Sequence, residues 1–305
     1  MEFLYFLERI RIPVLNEFML LITQLGEEMT FLVLAMVFFW CVDKKRGYLI
    51  MSVGFMGTMV NQFLKLWFRI PRPWVRDRNF TILEQAREAA SGYSFPSGHT
   101  TSAVGTFGSI AVTEKRRWLK IGAVILAALV GLSRMYIGVH TPADVLVGAL
   151  TSVVLIVLLE KAVLSPKGMG YVIGAMLAMS VGLLLFVKMY PFPADVDAHN
   201  LESGMKNAYT MIGCMAGVAL VYWVDSKWLN FSTDAVWWAQ ILKAVLGLGL
   251  ALAVKEGLRG PLEAVLGDAL NARAVRYFLI VVTAGILWPM SFRYFGRLGR
   301  KADNK

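Results

Sequence analysis

Apolar runs of about 18 residues or more recur along almost the whole chain, and nothing else restricts its fold as strongly. At 1.5 Å rise per residue, each such run crosses the hydrocarbon core of a bilayer as a helix. Only 17% of the 305 residues are charged and 57% are hydrophobic, far from the balance of a soluble domain. The mean hydropathy of +0.58 agrees. The sequence therefore predicts an all-α, polytopic transmembrane helical bundle. Spans are expected at 29–42, 47–68, 99–113, 118–138, 142–164, 171–190, 205–224, 237–256 and 275–292, about nine in all. Residues 3–24 are interrupted by Glu8, Arg9, Arg11, Pro13 and Glu17, which fits an N-terminal bent interfacial helix better than a clean span. With Glu2 and Glu8 and no basic n-region, this segment is not expected to be a cleaved signal peptide.

The net charge of +10 would point a soluble protein toward nucleic acid. Here the basic residues concentrate in short inter-helix loops and the tail, where they read as a topology signal and imply no nucleic-acid partner. Lys44-Lys45-Arg46, Lys115-Arg116-Arg117 and the group Arg293, Arg297, Arg300 and Lys301 mark one side, expected to be cytoplasmic. The segment 191–204 carries Asp195, Asp197 and Glu202 and suits the opposite side, as do 69–98 and 139–141. Arg259 and Arg273 in 257–274 run against this pattern. Cys41 and Cys214 fall in apolar segments and are expected to be buried, unpaired thiols. No Cys/His cluster has zinc spacing, so no metal site is expected.

Three short clusters carry chemistry: Lys65 to Arg72-Pro73, Pro96-Ser97-Gly98-His99, and Ser133-Arg134 with His140 and Asp144. Each lies at the end of an apolar segment, so all three can meet at one membrane face. His140 precedes Thr141-Pro142, a helix start with Thr as N-cap and Pro at the first helical position. Asp144 then lies one turn in, where a carboxylate can fix the tautomer of a nucleophilic imidazole. Taken alone, Thr-Pro-Ala-Asp also fits a simple helix cap. Ser97 can cap the next helix, whose first N–H groups point at an incoming anion, and Gly98 permits close approach. His99 beside them suits a general acid for a leaving oxygen, although an ordinary N-cap turn explains the same residues. Lys65, Arg72 and Arg134 are cations suited to the charge on a phosphoryl group in transfer. Each taken by itself is better explained as a snorkelling residue at a helix end. Their joint occurrence with two of the chain's three histidines in the same clusters reverses that reading.

The series Lys65-x6-Arg72-Pro73, Pro96-Ser97-Gly98-His99 and Ser133-Arg134-x5-His140-x3-Asp144 resembles the full tripartite signature of the type 2 phosphatidic acid phosphatase superfamily. The resemblance covers residues from about 29 to 164, with no departure at the signature positions. It implies a helical core shared with vanadium haloperoxidases and a metal-independent dephosphorylation that needs no cofactor and proceeds through a phosphohistidine. By that pattern His140 is the nucleophile, Asp144 its orienting carboxylate and His99 the acid. Lys65, Arg72, Ser97, Gly98 and Arg134 would hold the phosphate. The stretch Ser133 to Asp144 is also similar to the sphingosine-phosphate phosphatase and bacterial lipid phosphatase branches.

The implied partner is a phosphorylated lipid in a membrane, with hydrolysis at the extracytoplasmic face of, in all expectation, the plasma membrane. Three other activities stay open: a phosphotransferase using the same histidine, a lipid-headgroup transporter or flippase without chemistry, and a vanadium-dependent peroxidase. Ser165-Pro166-Lys167-Gly168 punctuates the chain. It divides an expected catalytic membrane domain, 1–164, from accessory transmembrane helices, 169–305, that would shape lipid entry or subunit contacts, with homo-oligomerisation left open. In that second part Lys243 reads as a snorkelling residue or a functional intramembrane cation. Gly213, Gly217, Gly247 and Gly249 are candidates for close helix packing, and His199 is expected to be solvated.

Overall fold

A computed structural model describes residues 1–298 of the chain except 88, 89, 91 and 166. Arg300 and Lys301 of the topology reading, and Pro166 of the boundary reading, lie outside the described residues. The elements are helical: α1 (Glu2–Arg9), α2 (Pro13–Gln24), α3 (Glu28–Val37), α4 (Lys44–Phe68), α5 (Pro73–Arg76), α6 (Gly98–Thr113) and α7 (Arg117–Tyr136). They continue with α8 (Pro142–Leu164), α9 (Gly168–Met189), α10 (Ala198–Val224), α11 (Trp237–Gly257), α12 (Arg259–Leu266), α13 (Ala269–Val282) and the short α14 (Phe292–Phe295). No strand occurs among the described residues.

Side chains that compete with the backbone set the helix starts. Asp43, Ser97, Thr141, Asp197 and Asp268 each occupy an N-cap and accept a backbone N–H from the first turn. The span count is smaller than expected. Among the described residues seven helices are long and apolar enough to cross a membrane, or eight if α2 and the α3 segment to Val42 form one span bent by 53°. α6 falls short because its 16 residues reach only about 24 Å, below the ~30 Å hydrocarbon core. It is walled in by α4, α7 and α8. The N-terminal interfacial helix is likewise two helices, α1 and α2, separated at Ile10–Ile12. Arg11 fastens that break by donating to the carbonyls of Tyr136 and Thr81, both at 3.0 Å.

The buried core runs through α3, α4, α8, α9 and α10 and includes Phe31, Trp40, Leu49, Met59, Met176 and Met211. α10 lies against α13 with Gly213 facing the Ala274 carbonyl and Gly217 facing Val281. Gly247 admits the Trp288 indole in the same way, whereas Gly249 faces open space and packs against nothing. Lys243 does not snorkel. It is fully buried, its ammonium donates to the Thr233 carbonyl at 2.9 Å, and it stands 4.5 Å from the Phe292 ring centre. Cys214 is buried and Cys41 half-buried, both unpaired. His199 is exposed.

One axial fact positions everything below. Lys44 pairs with Asp225 at 2.8 Å, Lys45 donates to the Leu164 carbonyl and Arg46 to the Thr113 carbonyl. The basic loops therefore gather at one end of the bundle. Lys65 stands 21 residues along α4, about 30 Å away, which is the thickness of a bilayer core.

Candidate active site

The chemistry-bearing residues converge at the end of the bundle opposite the basic loops. Thr141 and Asp144 form a capping box at the start of α8: Thr141 Oγ1 accepts the Asp144 N–H, and Asp144 Oδ2 accepts the Thr141 N–H at 2.7 Å. The expected cap and the expected catalytic carboxylate are thus the same device. The start of α6 is held to it directly, because the Ser97 N–H donates to the Asp144 carbonyl at 2.9 Å. That approach needs Gly148, where a Cβ would stand 2.7 Å from the Ser97 carbonyl oxygen.

His140, buried to 1% exposure, sits in the turn between α7 and α8. Its Nδ1 lies 3.5 Å from Asp144 Oδ2, longer than the direct hydrogen bond expected. The link runs instead through Ser94, whose hydroxyl donates to Asp144 Oδ2 at 2.6 Å and lies 3.4 Å from His140 Nδ1. On the other side of the ring, Nε2 lies 2.9 Å from Arg72 Nη1. A guanidinium has no acceptor, so in this contact Nε2 accepts and carries no proton. The proton then resides on Nδ1, toward Ser94 and Asp144. This is the tautomer a nucleophilic Nε2 requires.

The cations are built in from separate segments. Arg72, at the N-cap of α5, also donates to the carbonyls of Val139 and Gly92, both at 3.0 Å. Arg134, in the last turn of α7, donates to Thr23 Oγ1 at 2.7 Å, while its buried Nε has no hydrogen-bond partner among the described residues. Lys65 donates to the Tyr93 carbonyl at 3.1 Å. His99 is half-buried in the first turn of α6, and the charges of Arg134, Lys65 and Arg72 all reach it. Gly98 is half-exposed, and Ser97 is fully buried with its hydroxyl accepting from Thr100. Burial first, then the charges of Arg72, Arg134, Lys65 and His99, holds the His140 imidazole well below its ordinary titration range.

All eight expected site residues therefore meet at one place. Three cations share it with a single buried carboxylate, an excess of positive charge that an anion would balance. Sequence reasoning missed Ser94, Thr23, Asn61 and the carbonyls of Gly92 and Tyr93. Asn61 donates to the Pro96 carbonyl at 3.2 Å and fixes the turn before α6. Ser94 stands three residues before Ser97 in a run of turn-forming residues, but no spacing rule separates its role from that of a loop serine. Among the described residues no group of three His, Cys, Asp or Glu side chains is arranged to hold a metal ion.

Comparison with known proteins gives two family matches. The model described as PAP2 superfamily matches residues 45–164, and the one described as PAP2 superfamily phosphatase, transmembrane extension, matches 209–301. The undecaprenyl-diphosphatase BcrC of Bacillus subtilis is 32% identical over 145 residues, 47% of this chain and 72% of that protein. The phosphatidylglycerophosphatase B of the same organism is 34% identical over 152 residues, 46% of this chain and 70% of that one. Sphingosine-1-phosphate phosphatase 2 of Mus musculus is 23% identical over a longer stretch, 66% of this chain and 56% of its own. No solved structure matches the chain.

Proposed function

The chain belongs to the PAP2 superfamily, and from that premise we propose that it hydrolyses a lipid phosphate or diphosphate through a phosphohistidine at His140, at the extracytoplasmic face of the plasma membrane. It is a PAP2-type phosphoric ester or diphosphate hydrolase in a multi-pass membrane protein. The observation that carries the mechanism is the set of contacts about His140, with Ser94 and Asp144 on the Nδ1 side and the Arg72 guanidinium on Nε2, which together favour the tautomer with its proton on Nδ1.

A phosphate oxygen entering the site takes the N–H that Arg72 otherwise gives to Nε2, and so frees the Nε2 lone pair. Nε2 attacks phosphorus, the bond from phosphorus to the lipid oxygen breaks, and His99 gives its proton to that oxygen. The developing equatorial charge falls to Lys65, Arg72, Arg134 and the N–H groups at the start of α6. Water then attacks the phosphohistidine, His99 takes one of its protons, and inorganic phosphate leaves with His140 restored. The substrate's negative charge favours the protonated imidazole that His99 needs for the first step. The outward assignment rests on the basic loops at the other end of the bundle. The names of the relatives support a phosphorylated membrane lipid as substrate.

The test is phosphate release from a panel of lipid mono- and diphosphates in excess chelator, with wild type and His140→Ala side by side and no acceptor lipid added. Release by the wild type alone supports the reading. Release only when an acceptor is supplied, or equal release by both proteins, overturns it.

A further inference from the structure

The loop Gly92–Ser94 touches the catalytic groups at every residue. The Gly92 carbonyl accepts from Arg72 Nε at 3.0 Å, the Tyr93 carbonyl accepts from Lys65 Nζ at 3.1 Å, and the Ser94 hydroxyl donates to Asp144 at 2.6 Å beside His140. Three consecutive residues thus hold two phosphate-binding cations and the carboxylate that orients the nucleophile. The position of this backbone sets the geometry of the centre.

One end of that backbone is fixed by the chain itself, since the Ser94 N–H donates to the Ile70 carbonyl at 2.8 Å. The other is fixed from the C-terminal half. Asn200, in the first turn of α10, accepts the Tyr93 N–H on its side-chain oxygen at 3.0 Å. The Asp197 N–H donates to the Tyr93 hydroxyl at 3.2 Å. Asn200 is itself held rigidly, because both its backbone N–H and its side-chain amide donate to Asp197 Oδ1 at 2.8 Å. Gly92 adopts φ +86°, and a Cβ there would stand 2.7 Å from Asn200 Oδ1, so the loop is shaped to let this side chain in. Further down, α10 braces on the helix that carries Lys65: Asn207 donates to Gln62 at 3.0 Å, and Gly204 faces Leu66.

We infer that Asn200 is a positioning residue of the catalytic centre, acting through the Gly92–Ser94 backbone on Lys65, Arg72 and the Ser94–Asp144–His140 chain. The inference rests on the phosphatase reading above. Asn200 lies between the two stretches that the family models match. It gives the helices after residue 164 a part in catalysis: α10 clamps the loop on which the reacting groups are registered. A displacement of well under 1 Å at such a loop is enough to misalign attack.

The experiment compares wild type, Asn200→Ala, Asn200→Asp, Ser94→Ala and the Asn200→Ala/Ser94→Ala double variant, measuring kcat, KM, vanadate inhibition and the thermal midpoint in detergent. Asn200→Ala should lower kcat about tenfold, the scale of one positioning hydrogen bond, and weaken vanadate binding to match while the midpoint holds. Asn200→Asp keeps the acceptor oxygen but loses the amide that donates to Asp197 and sets two carboxylates together, so it should recover only part of the rate. In the Ser94→Ala background the loss from Asn200→Ala should shrink, because part of its route is gone. Unchanged kcat in Asn200→Ala overturns the inference, and so does a loss that multiplies independently with that of Ser94→Ala. If Asn200→Ala does not fold, Tyr93→Phe removes only the contact with the Asp197 N–H. A two- to threefold loss of kcat, about the effect of one weak hydrogen bond, is then expected, and none would be contrary. A wild type without phosphate release would instead refute the phosphatase reading itself.

Discussion

The catalytic end of the bundle and the C-terminal helices both bury charge, and they treat it in opposite ways. In the C-terminal half Lys243 is closed off by the Thr233 carbonyl and the Phe292 ring, and Asp225 by Lys44, while the buried Arg276 is left with its Nε unbonded among the described residues. Around His140, Lys65, Arg72 and Arg134 come from three segments and gather about one carboxylate, with the Arg134 Nε left without a hydrogen-bond partner among the described residues. A buried cation that is closed off belongs to packing. Three cations gathered about one carboxylate are instead the arrangement that the proposed phosphate site requires.

The sharpest way to break this comparison is to remove the nucleophile. His140→Ala should lower phosphate release by at least about 10⁴-fold, as loss of a nucleophile does elsewhere, while the protein remains folded. Next comes charge at the anion site. Arg72→Gln should cost about 100-fold in kcat. It should also move the acid limb of kcat/KM upward. The sign follows from His140: burial and the neighbouring cations depress its pKa, so in the wild type Nε2 stays neutral below the ordinary ~6.5. Wild-type activity should then persist under pH 6.5 and fall only in stronger acid. Removing Arg72 takes away the cation that bears most strongly on the ring and brings the limb back toward neutrality. An acid limb already at or above 6.5 in the wild type would contradict this environment.

The smallest effect belongs to the other side of the comparison. Lys243→Met keeps volume and removes a buried charge whose partner is a backbone carbonyl, an exchange that is often neutral or stabilising. Catalytic activity should stay within about twofold and the thermal midpoint should hold or rise, whereas a large loss of kcat at unchanged midpoint would make Lys243 functional.

These contrasts also mark how far the chain could be read before its structure. That the eight expected residues would meet was legible in part because some of their settings are local: Ser97 and Thr141 cap helices, and Asp144 follows His140 by one turn. What escaped depends on segments that meet only in three dimensions. Thr23 binds Arg134 across 111 residues, and Asn200 binds Tyr93 across 107. Ser94 takes the bond to Asp144 that local spacing assigned to His140 alone. The helical class followed from hydropathy, but the span count did not. Hydropathy sees apolar length and is blind to the bend between α2 and α3 and to the sheathing that lets α6 stay short. Lys243 shows the same limit, since snorkelling is a rule about one helix and its burial is decided by the Phe292 ring of another segment.

The central claim is that His140 carries the phosphoryl group, and the direct measurement is to trap it. Turnover of a lipid phosphate labelled at phosphorus should be quenched by denaturation, and the label mapped by peptide. An acid-labile label on the peptide containing residue 140, absent in His140→Ala, is the expected result. A label on His99 or another residue, or full turnover with no labelled protein under conditions that preserve phosphohistidine, would contradict the account.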